Sequence, residues 1–239
     1  MNWLKRFFKS DEEKPILYCV HGFGVRRTHE YNTLKEYFEA LGFTVVIPEI
    51  FDQTQIDDIN PDQWLNRVEE PLIKLISENK KILLIGFSMG GVIASYLASK
   101  FKVERLVLLA PAFEYITIKA IIDTVEGVAR QIIKRPEIQS NDYPPLPEPF
   151  TNTFKGIVAK CKESIKHVDC PVLIFHGTND ETIPLRSSDY AYESIYHLNK
   201  RLFILKNVPH RILDERLINK DVLRIIHEFF TNEIIKVDL

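Results

Sequence analysis

The segment Gly86-Phe87-Ser88-Met89-Gly90-Gly91 has the residue types and spacing of a reactive serine. It contains G-x-S-x-G, which gains meaning where a buried strand turns sharply into a helix. Such a turn strains the serine backbone and exposes its hydroxyl. Glycine suits the positions two before and two after, where side chains would collide in the turn. The helix N-terminus behind the serine favours developing negative charge. Two other chemistries fit the string alone: an incidental serine in a glycine turn, and a phosphate-binding loop. The second lacks the lysine of a Walker sequence.

A serine hydroxyl attacks well only when a base takes its proton, and the usual base is a histidine held by a carboxylate. Among seven histidines, His210 follows the last apolar run, in Asn207-Val208-Pro209-His210. A loop at that end of a sheet can reach Ser88. His21 and His176 also stand at strand ends, where they can orient loops. The carboxylate candidate is Asp180, in His176-Gly177-Thr178-Asn179-Asp180-Glu181, with Glu181 as its competitor. The chain order Ser88, Asp180, His210 is the one associated with G-x-S-x-G nucleophiles. An oxyanion needs two donors. Met89 N–H, next to the nucleophile, is one. Phe23 N–H, in His21-Gly22-Phe23-Gly24, is the other. Gly22 and Gly24 also begin a G-x-G, but Arg27 occupies the third glycine position of a dinucleotide fingerprint. Arg26 and Arg27 leave two roles open, a substrate-anion contact or surface charge.

These groups need a scaffold. Apolar runs at residues 16–20, 44–47, 82–85, 106–109, 172–175 and 202–205 have the β-rich character of strands buried on both faces. Helical patterns over 33–41, 61–77, 89–100, 186–198 and 214–230 alternate with them. Asn60 and Pro61 make a start signal for the second helix, and Pro71 predicts a kink or break inside it. This alternation implies a mainly parallel sheet of about six strands with helices on both faces, binding ligands beyond the strands' carboxyl ends. Residues 113–167 interrupt it: a helical pattern over 116–134, the proline-rich stretch 144–149, then a helical pattern over 153–167. That stretch is expected to be an insertion after the fourth strand.

Composition narrows the function classes. A chain of 239 residues with 45% hydrophobic and 27% charged residues suits one globular α/β domain with a substantial core. A formal charge of −2 and a pI near 6.4 argue against nucleic acid as the main partner. Cys19, Cys161 and Cys170 form neither CxxC pairs nor a disulfide framework, which suggests a reducing, cytoplasmic setting. The N-terminal segment lacks the apolar core of a signal peptide, and no stretch has the length of a transmembrane helix. Trp3, Leu4, Phe7 and Phe8 could form a stripe on a short helix, for weak membrane-surface contact or for packing on the domain. Nothing in the residues sets an oligomeric state.

Together, His21-Gly22-Phe23, the weaker Asn60-Pro61-Asp62-Gln63-Trp64, the segment Gly86 to Gly91, and the placement of Asp180 and His210 resemble the α/β-hydrolase superfamily. Within it, the chain looks like small bacterial carboxylesterases and monoacylglycerol lipases. The resemblance implies a core of residues 1–112 and 168–239, with a small helical cap at 113–167 inserted after the fourth strand. It implies hydrolysis of small or medium carboxylic esters through an acyl-enzyme, without cofactor or metal. The sheet would lack the two leading strands of the full fold. Candidate lining for the cap's pocket is the 116–134 segment with Phe113, Tyr115 and Phe150, although core packing accounts for these equally. Three departures stand out: Pro48-Glu49-Ile50-Phe51-Asp52 in place of a Gly-His-Gly turn, Pro209 before His210, and the two arginines after the oxyanion loop. Thioester or C–C bond hydrolysis by the same residues is an alternative. So is ligand sensing or signalling on the same fold.

Overall fold

The computed structural model describes residues 14–24, 26–115, 146 and 148–231. Six strands, β1 (Ile16–Val20), β2 (Thr44–Val46), β3 (Ile82–Phe87), β4 (Arg105–Leu109), β5 (Val172–Gly177) and β6 (Lys200–Leu205), form one sheet in the order β2-β1-β3-β4-β5-β6. Every pairing is parallel. The four inner strands are almost wholly buried, as their unbroken Val/Ile/Leu runs require. By contrast, β2 and β6 are edge strands, and neither is buried on both faces as expected. Charged residues such as Lys200 and Arg201 in β6 suit an edge that must not recruit another strand.

Alternate side chains of each inner strand feed two separate cores. Ile82 and Leu84 of β3 join one, and Leu83, Ile85 and Phe87 join the other. The first core is covered by α2 (Pro61–Ser77), α3 (Met89–Lys100), α4 (Phe150–Cys161) and α5 (Arg186–Ser194). The second lies under α1 (Asn32–Ala40) and α6 (Asn219–Phe230).

The start signal of α2 is used as expected. The Asn60 side chain accepts from Asp62 N at 2.8 Å and from Gln63 N at 3.3 Å, which satisfies two donors of the first turn. Pro71 does not break this helix. Trp64, Leu65, Val68 and Leu72 bury one stripe on both sides of the proline, and tertiary packing overrides the lost backbone bond. The last helix starts later than its periodicity suggested, because a 3₁₀ turn at Ile212–Asp214 precedes α6. Likewise, α5 stops at Ser194, where Ile195 turns extended.

Of the stretch 113–167, the part from residue 148 on is α4 followed by a 3₁₀ helix at Lys162–His167. Phe150, Phe154, Ile157 and Cys161 of α4 belong to the same core as α2 and α3. The helical pattern expected over 116–134 and the N-terminal apolar stripe lie outside the described residues.

Candidate active site

At the end of β3 the chain turns abruptly into α3 through Ser88, whose φ is 53° and ψ −120°. For a residue with a Cβ this conformation costs of order 1–3 kcal/mol and persists only where its surroundings fix it. They do so here. Ser88 N donates to Leu109 O at 2.9 Å, and Ser88 O accepts from Gly91 N at 2.9 Å and Ala112 N at 3.0 Å. The flanking glycines are required, though not for one reason. A Cβ on Gly86 would lie 2.3 Å from Gly90 O, a clash inside the turn. A Cβ on Gly90 would lie 2.0 Å from Val20 O, a clash with the end of β1. The second glycine therefore seats α3 against the neighbouring strand, beside the loop that begins at His21.

Asp180 and His210 meet. His210 Nδ1 donates to Asp180 Oδ2 at 2.7 Å. That bond leaves Nε2 as the basic nitrogen. Asp180 is held by its own loop, since its Oδ1 accepts from Thr182 N at 2.9 Å and Ile183 N at 2.7 Å, the local bonding expected of an aspartate in a turn. Its side chain is 1% exposed. The competing acid, Glu181, is exposed. The two loops approach closely because residue 177 has no side chain: a Cβ there would lie 2.1 Å from Val208 O. The His210 ring packs against Phe87, the residue before Ser88, at a centroid distance of 4.8 Å.

His176 lies behind the acid, fully buried. Its Nε2–H donates to Ile183 O at 3.0 Å and lies 3.4 Å from Asp180 Oδ2, while its Nδ1 accepts from Ser188 Oγ at 2.7 Å. Burial lowers its pKa, which keeps the ring neutral in this role.

The turn after β1 is held from both sides. Ile50 N donates to His21 Nε2 at 3.0 Å, so His21 Nδ1 carries the proton and donates to Gly22 O at 2.8 Å. Desolvation lowers the His21 pKa to about 4, and the ring stays neutral. The Gly22 carbonyl and the Phe23 N–H belong to one trans peptide and point in opposite directions. Fixing the first aims the second. Gly22 N itself donates to Glu30 Oε2 at 3.3 Å. A Cβ on Gly22 would lie 3.2 Å from that of Ser88, so the turn lies directly against the serine. Among the described residues, neither Phe23 N–H nor Met89 N–H donates to a protein group, and Ser88 Oγ makes no hydrogen bond.

Neither open role for Arg26 and Arg27 describes them. Arg26 pairs with Asp214. Arg27 pairs with Glu49 at 3.0 Å and donates to Phe51 O at 3.3 Å. Both guanidiniums are largely covered and bonded within the protein. Phe113 and Phe150 are core residues, Phe150 packing edge-on against the stacked pair Phe51 and Trp64. Tyr115 is half-buried against Phe154, which in turn packs on Phe23 at 5.2 Å. Sequence reasoning missed Glu30 and Arg211. The available signal was a glutamate eight residues after Gly22, next to the core residues Tyr31 and Leu34. No group of three or more His, Cys, Asp or Glu among the described residues could hold a metal ion.

The model of an uncharacterised protein family, UPF0227, matches residues 16–211. A thermostable monoacylglycerol lipase from Bacillus sp. (strain H-257) is 26% identical over 213 residues, which are 83% of this chain and 84% of that protein. Among solved structures, a soluble variant of monoglyceride lipase from Saccharomyces cerevisiae matches with a TM-score of 0.71 at 14% identity, over 94% of this chain and 88% of the other. A meta-cleavage product hydrolase from Pseudomonas fluorescens IP01 matches at 0.69 and 19% identity, over 92% of each chain. These likenesses, with the all-parallel sheet, show the α/β-hydrolase fold.

Proposed function

The chain belongs to the uncharacterised protein family UPF0227, and from its site's geometry we propose that it is a carboxylic ester hydrolase with Ser88 as nucleophile. The observation that carries this is the His210–Asp180 hydrogen bond, with the His210 ring against Phe87 beside a serine held at positive φ. The likeness to a monoacylglycerol lipase along most of both chains supports the reaction class.

Ser88 Oγ attacks the ester carbonyl carbon while His210 Nε2 takes its proton. Asp180 keeps the imidazole in the required tautomer and stabilises the imidazolium. Phe23 N–H and Met89 N–H receive the oxyanion of the tetrahedral intermediate, the latter with help from the α3 N-terminus. As the intermediate collapses, His210 gives its proton to the departing alcohol and an acyl group remains on Ser88. Water, deprotonated by His210, then attacks the acyl carbonyl and releases the acid. Of the insertion expected at 113–167, the described helix α4 packs in the core beside α2 and α3. Tyr115 and Phe154, next to Phe23, line the acyl side. The substrates are esters of small or medium acyl chains. The three unpaired, buried cysteines suit a cytoplasmic setting. No helix among the described residues is long and apolar enough to cross a membrane.

Labelling with a fluorophosphonate probe tests the nucleophile. Wild-type protein takes the label and Ser88→Ala does not; folded wild type that stays unlabelled overturns the assignment. A panel of esters, thioesters and vinylogous diketones tests the bond cleaved. Rapid turnover of either other class, with esters inert, replaces the ester assignment.

A further inference from the structure

One carboxylate near Ser88 has no part in the proposed chemistry. Glu30 is 7% exposed, in a 3₁₀ turn (Arg27–Tyr31) directly before α1. Burying a carboxylate is costly unless hydrogen bonds and charges compensate. Here they come from functional segments. Its Oε2 accepts the Gly22 N–H at 3.3 Å. With Phe87, Arg211 and Asp214 it lines a cavity of about 10 Å³. That is room for about one water. Desolvation raises the Glu30 pKa, and Arg211, then the Gly22 N–H bond, then Arg26 act against that rise, as opposite charges and a donor near a carboxyl must. Arg26 is bonded to Asp214, and Arg211 lies 3.7 Å from the same carboxylate. This cluster joins the turn after β1 to the loop that carries His210, the residue before Arg211.

We propose that Glu30 is a positioning residue for the reaction at Ser88: by accepting the Gly22 N–H, it fixes the turn that aims Phe23 N–H at the oxyanion. The assignment rests on the ester-hydrolase reading and deepens it. Gly22 sits closely between the two groups, since even a Cβ there would lie 3.2 Å from Ser88 Cβ and 3.3 Å from Glu30 Oε2. Movement of the carboxylate therefore passes to the position opposite the nucleophile. His21 fixes the carbonyl end of the peptide that follows Gly22, and Glu30 fixes the amide end of the one before it. Together they leave Phe23 N–H one direction. Misplacing a reacting group by about 1 Å can cost about 10²-fold in rate.

The test compares wild type, Glu30→Gln, which keeps an acceptor, and Glu30→Met, which keeps the volume without one. p-Nitrophenyl butyrate serves as substrate and phenylboronic acid as the tetrahedral probe. Glu30→Met is expected to lower kcat by about 10- to 100-fold with KM nearly unchanged, since only the transition state carries the oxyanion. Boronate affinity should fall with kcat, and Glu30→Gln should restore both to within about threefold of wild type, as a retained acceptor implies. A wild-type kcat in Glu30→Met overturns the proposal, as does a Glu30→Gln rate as low as that of Glu30→Met. If Glu30→Met does not fold, the Gly22 amide proton decides: it moves upfield in Glu30→Gln if the bond exists, and no movement overturns the assignment. Wild-type protein inert to both ester and fluorophosphonate removes the Ser88 reading and Glu30 with it. Active wild type beside an equally active Glu30→Met removes Glu30 alone.

Discussion

The two sides of Ser88 are built on different principles. On the base side, the groups that orient Asp180 come from its own neighbourhood: Thr182 N, Ile183 N and His176, all within four residues. His210, 30 residues away, is its one distant partner among the described residues. On the oxyanion side, the turn His21-Gly22-Phe23 is held by Ile50, 29 residues on, and by Glu30. The charge cluster behind Glu30 then closes through Arg26 and Asp214, 188 residues apart. A local turn with a short acceptor network supports the base. A partly buried charge cluster drawn from opposite ends of the chain supports the proposed oxyanion donors. Each side should therefore lose function when one hydrogen bond is removed, but the base side rests on bonds made within one loop and the oxyanion side on an acceptor, Glu30, seated among residues of distant loops.

Asp180→Asn gives the largest effect expected. It leaves the loop folded but removes the charge and reverses the preferred His210 tautomer, and kcat should fall by about 10⁴ with KM little changed. Circular dichroism and kcat on one ester check it. A loss of tenfold or less would mean that the base side is not organised around this carboxylate. Ser188→Ala probes the next layer. Removing its hydroxyl leaves the buried His176 Nδ1 without a partner, at a cost of about 1–3 kcal/mol in denaturant unfolding. Its effect on kcat should be much smaller than that of Asp180→Asn, because the Thr182 and Ile183 bonds remain. Equal losses from the two variants would erase the distinction between the acid and its support.

The same contrast explains what could be read from the residues alone. The four inner strands declare themselves as unbroken apolar runs. Helices α2 and α3 match the periodicity at both ends, because Asn60 caps one and Ser88 begins the other. Ser88, Asp180 and His210 each follow a strand in sequence, so locating the strands located them. Edge exposure of β2 and β6 was not legible, since strand order is a long-range property and Leu202–Leu205 is as apolar as an inner strand. Glu30 was legible only as a glutamate beside core residues, and its role was hidden for the same reason. Its partner is a backbone N–H, which has no sequence signature, and its charged neighbours lie near the other end of the chain. Arg26 and Arg27 looked like exposed charges because their partners Asp214 and Glu49 come from separate loops.

The smallest effect expected is a change of slope, and it sharpens the comparison most directly. Glu30 has a pKa raised by desolvation, so the folded chain holds that proton more tightly than the unfolded one. Its contribution to stability is present below the unfolded carboxylate value and is lost as pH rises through the folded one. Subtracting the unfolding free energy of Glu30→Gln from that of wild type, point by point from about pH 4 to 8, cancels the other titrating groups. The difference should fall as pH rises, whichever variant is the more stable at a given pH. A difference that rises with pH would mean that Arg211 and Arg26 outweigh desolvation and hold the carboxyl below its ordinary value. A flat difference would mean that desolvation and the opposing charges cancel, so that the folded and unfolded chains hold the Glu30 proton equally.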